Sequence, residues 1–148
     1  MALCLGCSKD SSEEETIGVV PEVVEAYQAL NVSYGSDENQ VFDIYLPENR
    51  TTSTKILILI HGGGWISGDK SDMSSIKTFI SALHPNIGIV NMNYTLAGIN
   101  NPPVPMQTED ISMVVDYLSM NKSSLIVSDD IGFIGVSAGA HLSLFIIK

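Results

Sequence analysis

The hydrophobic pattern along the chain predicts a sheet of mainly parallel strands. The segment Ile56–Ile60 is apolar at every position, which is typical of a strand that is covered on both faces. Two further short apolar runs, Ile87–Met92 and Ile131–Val136, predict strands of the same kind. Because both faces of such a sheet must be covered, we expect helices on each side of it.

An antiparallel start to the sheet is predicted nearer the N-terminus. Apolar and polar residues alternate in Val41–Leu46, and the turn-rich segment Gly35–Asn39 separates it from the short run Asn31–Tyr34. These features indicate an antiparallel hairpin. Just before the hairpin, we expect a short helix within Pro21–Leu30.

Three later segments predict helices and complete an α/β pattern. Apolar residues recur at helical spacing between Met73 and Leu83 and between Ile111 and Leu118. The segment Ala138–Ile147 is apolar on nearly all sides, which indicates a buried helix. The order β-β-β-α-β-α-β-α predicts right-handed crossovers on a mainly parallel sheet. Ligands of such sheets bind beyond the carboxyl ends of the strands.

The composition fits one globular domain and excludes several kinds of partner. Of the 148 residues, 45% are hydrophobic and 16% are charged, which suits a single packed core. The 17 acidic residues outnumber the 7 Lys and Arg, and the net charge of −10 would repel nucleic acid. No unbroken apolar run is longer than the five residues of Ile56–Ile60, and this is too short to cross a bilayer. Residues 19–148 are therefore expected to form a domain or part of one.

Residues 1–18 predict a separate, acidic tether. Cys4 and Cys7 are the only cysteines, and because no second pair or histidine cluster accompanies them, we expect no metal site. The stretch Leu3–Cys7, followed by serines and glutamates, is similar to the end of a bacterial lipoprotein signal. That resemblance implies lipid attachment at Cys7, a secreted or cell-envelope location, and membrane contact only through this anchor. The alternative is a disordered N-terminus with two incidental cysteines.

Ser137 is a candidate nucleophile. It is the serine of the GxSxG pattern Gly135-Val136-Ser137-Ala138-Gly139, which falls where a predicted strand meets a predicted helix. A reversal over one residue would hold this serine in a strained conformation at the tip of the turn. Gly135 and Gly139 would avoid the collisions that side chains make in so tight a turn.

A second glycine motif follows the buried strand. The sequence His61-Gly62-Gly63-Gly64-Trp65 begins directly after Ile60. Glycines allow main-chain N–H groups to approach a ligand oxygen closely, and donors fixed in advance need no reorganisation when charge develops. Such groups would form an oxyanion hole. A flexible connection or a phosphate-binding loop is the alternative, but no GK[ST] sequence follows.

With both motifs, the sequence resembles the α/β-hydrolase superfamily, in particular bacterial carboxylesterases related to hormone-sensitive lipase and to acetylxylan or feruloyl esterases. The similarity runs from about Asn31 to Ile147 and includes Asn93-Tyr94-Thr95-Leu96, where the family usually has arginine instead of Thr95. The resemblance implies an α/β-hydrolase fold, a serine esterase without a cofactor, and an acyl ester as substrate. Its only indication of the kind of ester is that some of these esterases act on carbohydrate esters. The residues it implicates are Ser137 as nucleophile, Gly63, Gly64 and Ala138 as main-chain oxyanion donors, and His61 as a brace of the loop.

Several of these residues have a plainer interpretation. Ser137 could be an ordinary N-cap of the helix that follows it. His141, one helical turn further on, and His84, at a helix end, occupy positions that suit structural histidines. Trp65 could either line an acyl pocket or pack on the sheet.

The catalytic partners of Ser137 are missing from this sequence. In the α/β-hydrolase fold an acidic residue and then a histidine follow the nucleophile, but after Ser137 there is no acidic residue and His141 is the only histidine. We therefore expect the N-terminal part of an esterase, which would be inactive and prone to aggregate alone. Two alternatives remain. An amidase, formamidase or peptidase could use the same serine, and a non-catalytic lipoprotein would explain why no general base is present.

Overall fold

A computed structural model describes residues 23–146 of the chain. Over this range the chain forms a five-stranded sheet with helices on both faces. The elements in chain order are β1 (Tyr27–Ser33), β2 (Val41–Leu46), β3 (Ile56–Ile60), a 3-10 turn (Lys70–Met73), α1 (Ser74–Leu83), β4 (Gly88–Met92), α2 (Met106–Leu125), β5 (Ile131–Gly135) and α3 (Ala138–Leu144).

The strand order of the sheet is β1-β2-β4-β3-β5. Strand β3 is parallel to β4 and to β5, whereas β2 is antiparallel to both β1 and β4. The prediction of a parallel sheet with an antiparallel start is therefore confirmed. Among the described residues β5 is an edge strand, since it pairs only with β3.

The core lies in two layers, one on each face of the sheet. On one face α1 contributes Ile76 and Ile80, which pack with Leu59 and Ile89 of the central strands. On the opposite face α2 contributes the buried residues Ile111, Val114 and Leu118, and α3 contributes Leu142; these pack with Ile58, Ile60, Val90 and Met92. Adjacent residues of one strand point to opposite faces, so the continuous apolar run of β3 feeds both layers.

The expectation of a short helix within Pro21–Leu30 is wrong for its described part. Tyr27–Leu30 belongs to β1, where Tyr27 pairs with Leu46 and Ala29 pairs with Ile44. The segment before it, residues 23–26, has no regular structure, and residues 21 and 22 lie outside the described range. Pairing with β2 gives the main-chain groups of this segment their hydrogen-bond partners, and this tertiary contact outweighs a weak local preference for helix.

Helix α3 is buried on one side only, although its apolar sequence predicts burial all round. Ala138 and Leu142 are buried against the sheet, whereas Leu144 and Phe145 keep 70% and 52% of their surface exposed. In the described part of the chain α3 packs against β5, β3 and α2, and its remaining side has no such neighbour to cover it.

The predicted N-terminal tether lies outside the described residues, so lipid attachment at Cys7 stays a prediction. Within residues 23–146, no helix combines the length and the apolar character needed to cross a membrane.

Candidate active site

The serine turn, residues 135–139, connects β5 to α3. Ser137 has φ 51° and ψ −112°, its residue is exposed, and its side chain makes no capping hydrogen bond to α3. An ordinary N-cap has an extended backbone and accepts a hydrogen bond from the first turn of its helix. Ser137 does neither, so the capping interpretation does not account for it. Its hydroxyl is instead presented at the tip of a strained turn.

The two glycines of the serine turn are required by close backbone contacts. A Cβ atom on Gly135 would lie 2.3 Å from the main-chain nitrogen of Ala140, and one on Gly139 would lie 2.2 Å from the carbonyl oxygen of Ile60. Both distances are far below van der Waals contact. The collisions that the GxSxG pattern predicts would therefore occur at both positions.

The glycine loop, residues 61–65, lies against the serine turn. Ile60 at the end of β3 is opposite Gly135 at the end of β5, so the two segments leave the sheet side by side. A Cβ atom on Gly62 would lie 3.4 Å from the Cβ of Ser137 and 3.0 Å from the carbonyl oxygen of Val136. The two motifs that the sequence singles out are thus brought together at one edge of the sheet.

The glycine loop turns through conformations that favour glycine. Gly63 has φ 111° and Gly64 has φ 60°. A Cβ atom on Gly63 would also lie only 1.9 Å from the carbonyl oxygen of Ser67. Within residues 23–146, the N–H groups of Gly63, Gly64 and Ala138 donate no hydrogen bond. No acceptor within this range therefore competes for these three donors.

His61 is fully buried and is held inside the glycine loop. Its Nδ1 lies 2.7 Å from the carbonyl oxygen of Gly62, and its ring stacks on that of Tyr94 with centroids 4.2 Å apart. A carbonyl oxygen can only accept, so Nδ1 must carry the proton and donate. In the described part of the chain Nε2 is buried without a hydrogen-bond partner. This environment suits a structural brace, and the His61 ring makes no hydrogen bond to the Ser137 side chain.

Trp65 closes the glycine loop with a positive φ of 70°. Its carbonyl oxygen accepts from the N–H of Ala97 at 2.8 Å and from Nε2 of Gln107 at 2.7 Å. Its indole packs partly on the core and meets the ring of His141 edge to face, at 5.6 Å between centroids. Trp65 thus both packs on the fold and lies beside the start of α3.

None of the three histidines has a carboxylate partner among residues 23–146. His84 is the C-cap of α1. His141 is exposed, and its ring lies between Trp65 and Phe145. A general base in a serine hydrolase is oriented by an acidic side chain, and no histidine here is oriented in that way.

A polar network supports the chain that follows the glycine loop. The ammonium of Lys70 lies 2.7 Å from Asp43 in a largely buried ion pair, and the Lys70 N–H donates to the side chain of Asn93. Asn93 in turn donates to Asp69 at 2.8 Å. Partial burial raises the pKa of Asp69, but hydrogen bonds from Asn93 and Ser71, aided by the Lys70 charge, bring it down to about 2. Asp69 is therefore ionised at neutral pH, where it caps the 3-10 turn.

Asp110 is a buried acid, although its place near the start of α2 suggests an ordinary first-turn residue. Its two carboxylate oxygens accept from the N–H of Thr95 and from Nε2 of Gln40, each at 2.7 Å. Thr95, at the position where the resemblance leads us to expect arginine, thus supplies a main-chain donor to this carboxylate. No cationic side chain within residues 23–146 pairs with it.

The roles of Tyr94 and Gln107 in holding the glycine loop were not predicted from the sequence. Tyr94 lies in the segment Asn93–Leu96, but nothing in that segment indicates a contact with His61, 33 positions earlier. Nothing in the sequence indicates that Gln107 is buried, because a glutamine in the first turn of a helix is usually exposed.

The strand order, the serine turn and the adjoining glycine loop define an α/β-hydrolase. The BD-FAE family model matches residues 42–147, and the chain belongs to this family of α/β-hydrolase esterases.

Named relatives act on esters and on a formamide. The chain is 27% identical over 128 residues to kynurenine formamidase of Salmo salar, covering 83% of this chain and 40% of the relative. It is 31% identical over 116 residues to versiconal hemiacetal acetate esterase of Dothistroma septosporum, covering 78% and 34%. A solved truncated form of a carbohydrate esterase from gut microbiota has a TM-score of 0.68 and 27% identity, covering 82% and 43%. The chain therefore spans less than half the length of each.

Proposed function

We propose that this chain carries the nucleophile and the oxyanion hole of a serine hydrolase that cleaves carboxylic esters. The observation that carries the proposal is the placement of Ser137, exposed at φ 51° on a strained turn with its Cβ beside Gly62. The family is one of esterases. A serine in an ordinary loop would have no reason to occupy so costly a conformation.

In the proposed reaction, Ser137 Oγ attacks the ester carbonyl carbon while a general base takes its proton. The carbonyl oxygen becomes an oxyanion, which the N–H groups of Gly63, Gly64 and Ala138 stabilise. The carbon–oxygen bond to the alcohol then breaks, the base returns the proton to the leaving oxygen, and an acyl-Ser137 ester remains. Water then attacks the acyl carbon while the base takes a proton from it. The bond to Ser137 Oγ breaks, the base returns the proton to this oxygen, and the carboxylic acid is released.

We place the general base and its acidic partner outside this sequence. His61 is buried with Nδ1 committed to the Gly62 carbonyl, His84 ends α1, and His141 packs between two aromatic rings without an acid. The aligned part of this chain covers only 40% of one relative and 34% of another. A complete protein of that length would have room for both groups.

The test is hydrolysis of p-nitrophenyl acetate by the complete protein and its Ser137→Ala variant. We expect the variant to lose at least about 1,000-fold in kcat, because the attacking oxygen is gone. The matched control is Ser112→Ala, an exposed serine of α2 whose hydroxyl bonds to the carbonyl of Thr108; its rate should equal the wild-type rate. A fluorophosphonate probe should label the wild type and the control but not Ser137→Ala. Equal rates in Ser137→Ala and wild type would refute the assignment, and a folded wild type without label would favour a non-catalytic lipoprotein.

For the substrate, we propose acyl esters of carbohydrates. The support is the solved relative named as a carbohydrate esterase. Release of acetate from acetylated xylose, measured against p-nitrophenyl acetate, tests this choice: a kcat/KM for the sugar ester well below that for the simple ester would argue against it.

A formamidase is the second candidate, because kynurenine formamidases of Salmo salar and Danio rerio are among the relatives. The same nucleophile and oxyanion hole would serve an amide, with an amine as the leaving group. Turnover of an N-formyl arylamine faster than turnover of aryl acetate would favour this candidate over the esterase.

A further inference from the structure

The glycine loop depends on groups outside itself for its shape. Glycine residues lose more conformational freedom on folding than any other residue, and a hole that stabilises charge must be fixed before the reaction. The Gly63 carbonyl accepts from the N–H groups of Ile66 and Ser67 just after the loop, and the Gly62 carbonyl accepts from Nδ1 of His61. The His61 carbonyl has no partner within the loop, and the His61 ring itself stacks on the ring of Tyr94.

Tyr94 contacts the carbonyls of both His61 and Gly62. Its hydroxyl lies 3.1 Å from the carbonyl oxygen of His61 and 3.3 Å from that of Gly62. A phenol has one proton, so the two carbonyls share it. Tyr94 is fully buried at the end of β4, and its ring lies flat on the His61 ring, 10° from parallel.

Holding the Gly62 carbonyl also aims the next N–H group. The peptide bond between Gly62 and Gly63 is trans, and in a planar trans peptide the C=O and N–H bonds point in opposite directions. The Gly62 oxygen is turned inward, towards the buried Tyr94 and His61. The N–H of Gly63 therefore points away from that buried side, and the preceding residue, Gly62, lies against Ser137.

We propose that Tyr94 is a positioning residue of the oxyanion hole, acting through the His61 and Gly62 carbonyls on the N–H of Gly63. The inference rests on the proposed function, since a hole matters only if Ser137 forms a tetrahedral adduct. Burial raises the pKa of Tyr94 to about 12, so the phenol keeps the proton that it donates at neutral pH.

The test compares Tyr94→Phe with Tyr34→Phe in the complete protein. Tyr94→Phe keeps the ring on His61 and removes only the hydroxyl. Tyr34 is the matched control, because its hydroxyl also donates to a main-chain carbonyl, that of Asn93, at 2.9 Å, and makes no hydrogen bond to residues 61–65. Each rate is divided by the concentration of active sites titrated with the fluorophosphonate, so that loss of folded protein does not count as loss of catalysis.

We expect Tyr94→Phe to lower kcat for p-nitrophenyl acetate about 10- to 100-fold with KM changed less than about 3-fold, which is the signature of a contact used in the transition state. A trifluoromethyl ketone forms a tetrahedral adduct whose oxyanion occupies the hole, and its inhibition constant should rise by a similar factor. Tyr34→Phe should leave kcat and the ketone affinity within about 3-fold of wild type. Replacement of Tyr94 by 4-aminophenylalanine, which retains a donor, should restore part of the lost kcat.

Two outcomes would overturn the positioning role. One is a Tyr94→Phe protein with wild-type kcat and ketone affinity per active site. The other is an equal loss in both tyrosine variants, or no recovery with 4-aminophenylalanine, which would mean that the hydroxyl serves stability alone. Failure of the proposed function is a separate result: the Ser137→Ala variant would then be as active as wild type, and the ketone would bind both alike.

Discussion

The serine turn and the glycine loop lie side by side at one edge of the sheet but are held in different ways. In the serine turn, the main chain of Gly135 and Gly139 passes too close to other backbone for any side chain: Gly135 approaches Gly139 and Ala140, and Gly139 approaches the carbonyl groups of Ile60 and His61. The glycine loop is held by hydrogen bonds from the side chains of His61, Tyr94 and Gln107. One motif is therefore shaped by close backbone packing, and the other by side chains of which two lie far from it in the sequence.

The largest effect is expected where the serine turn is broken sterically. In Gly139→Ala the new Cβ would lie 2.2 Å from the Ile60 carbonyl oxygen, and because that atom is backbone, β3 and α3 must move apart. Overpacking of this kind lowers the free energy of unfolding by about 3 kcal/mol. Urea unfolding followed by circular dichroism measures it.

The control for this variant is Gly98→Ala, since a Cβ atom on Gly98 meets no atom within 4 Å. Its urea midpoint should stay near that of wild type. A Gly139→Ala protein as stable as the control would show that the serine turn is not sterically locked.

A smaller effect, mainly on activity, is expected from Gly68→Ala. Gly68 has φ 104°, and a Cβ atom on it would lie 2.5 Å from both the Gly62 carbonyl oxygen and Nδ1 of His61. The methyl group would therefore push on the hydrogen bond that fixes the glycine loop. Removing one oxyanion donor costs about 100-fold or more in kcat, and we expect a displaced donor to cost about 10- to 100-fold.

The measurement is kcat for p-nitrophenyl acetate per titrated active site, again with Gly98→Ala as control. An unchanged kcat in Gly68→Ala would mean that the loop tolerates movement of the Gly62 carbonyl, and the contrast between the two motifs would weaken.

The smallest expected effect is a change of stability with pH, caused by Asp69 in the polar network that supports the chain after the glycine loop. The pKa of Asp69 is lowered from 3.8 to about 2, so its charged form stabilises the fold above about pH 4 and this contribution is lost as the pH falls towards 2. Asp69→Asn should therefore be less stable than wild type at pH 6, with the difference shrinking at pH 2 to 3.

Thermal unfolding across this pH range measures the effect, and it should be modest because Asp69 is largely solvent-exposed. Asp116→Asn, on the exposed side of α2, is the control and should follow the wild-type curve. A difference for Asp69→Asn that grows towards low pH would contradict the assignment.

Much of the fold could be predicted because its signals are local. The run Ile56–Ile60 is apolar throughout and became the strand that feeds both core layers. The close approach of Gly135 to Gly139 and Ala140 follows from the tightness of a one-residue turn, so the five-residue pattern carries it. In these two cases the physical cause lies within a few residues of the motif itself, whereas the approach of Gly139 to Ile60 also requires β3 to lie beside β5.

The features that were missed depend on partners far along the chain. The segment Tyr27–Leu30 is a strand because β2 lies beside it, and its own sequence does not report that pairing. The contacts of Tyr94 with His61 and Gly62 exist because β4 and β3 are parallel neighbours whose carboxyl ends coincide. Only a correct strand order would have placed that phenol beneath the glycine loop.

The backbone of Ser137 sets a limit on engineering this protein for heat tolerance. Its φ of 51° is a conformation that glycine adopts freely and that costs serine on the order of 1–3 kcal/mol. A library ranked by melting temperature alone would therefore reward replacing Ser137 with glycine, which discards the hydroxyl on which the proposed chemistry depends. Selection for robustness in this molecule has to be coupled, variant by variant, to a turnover assay.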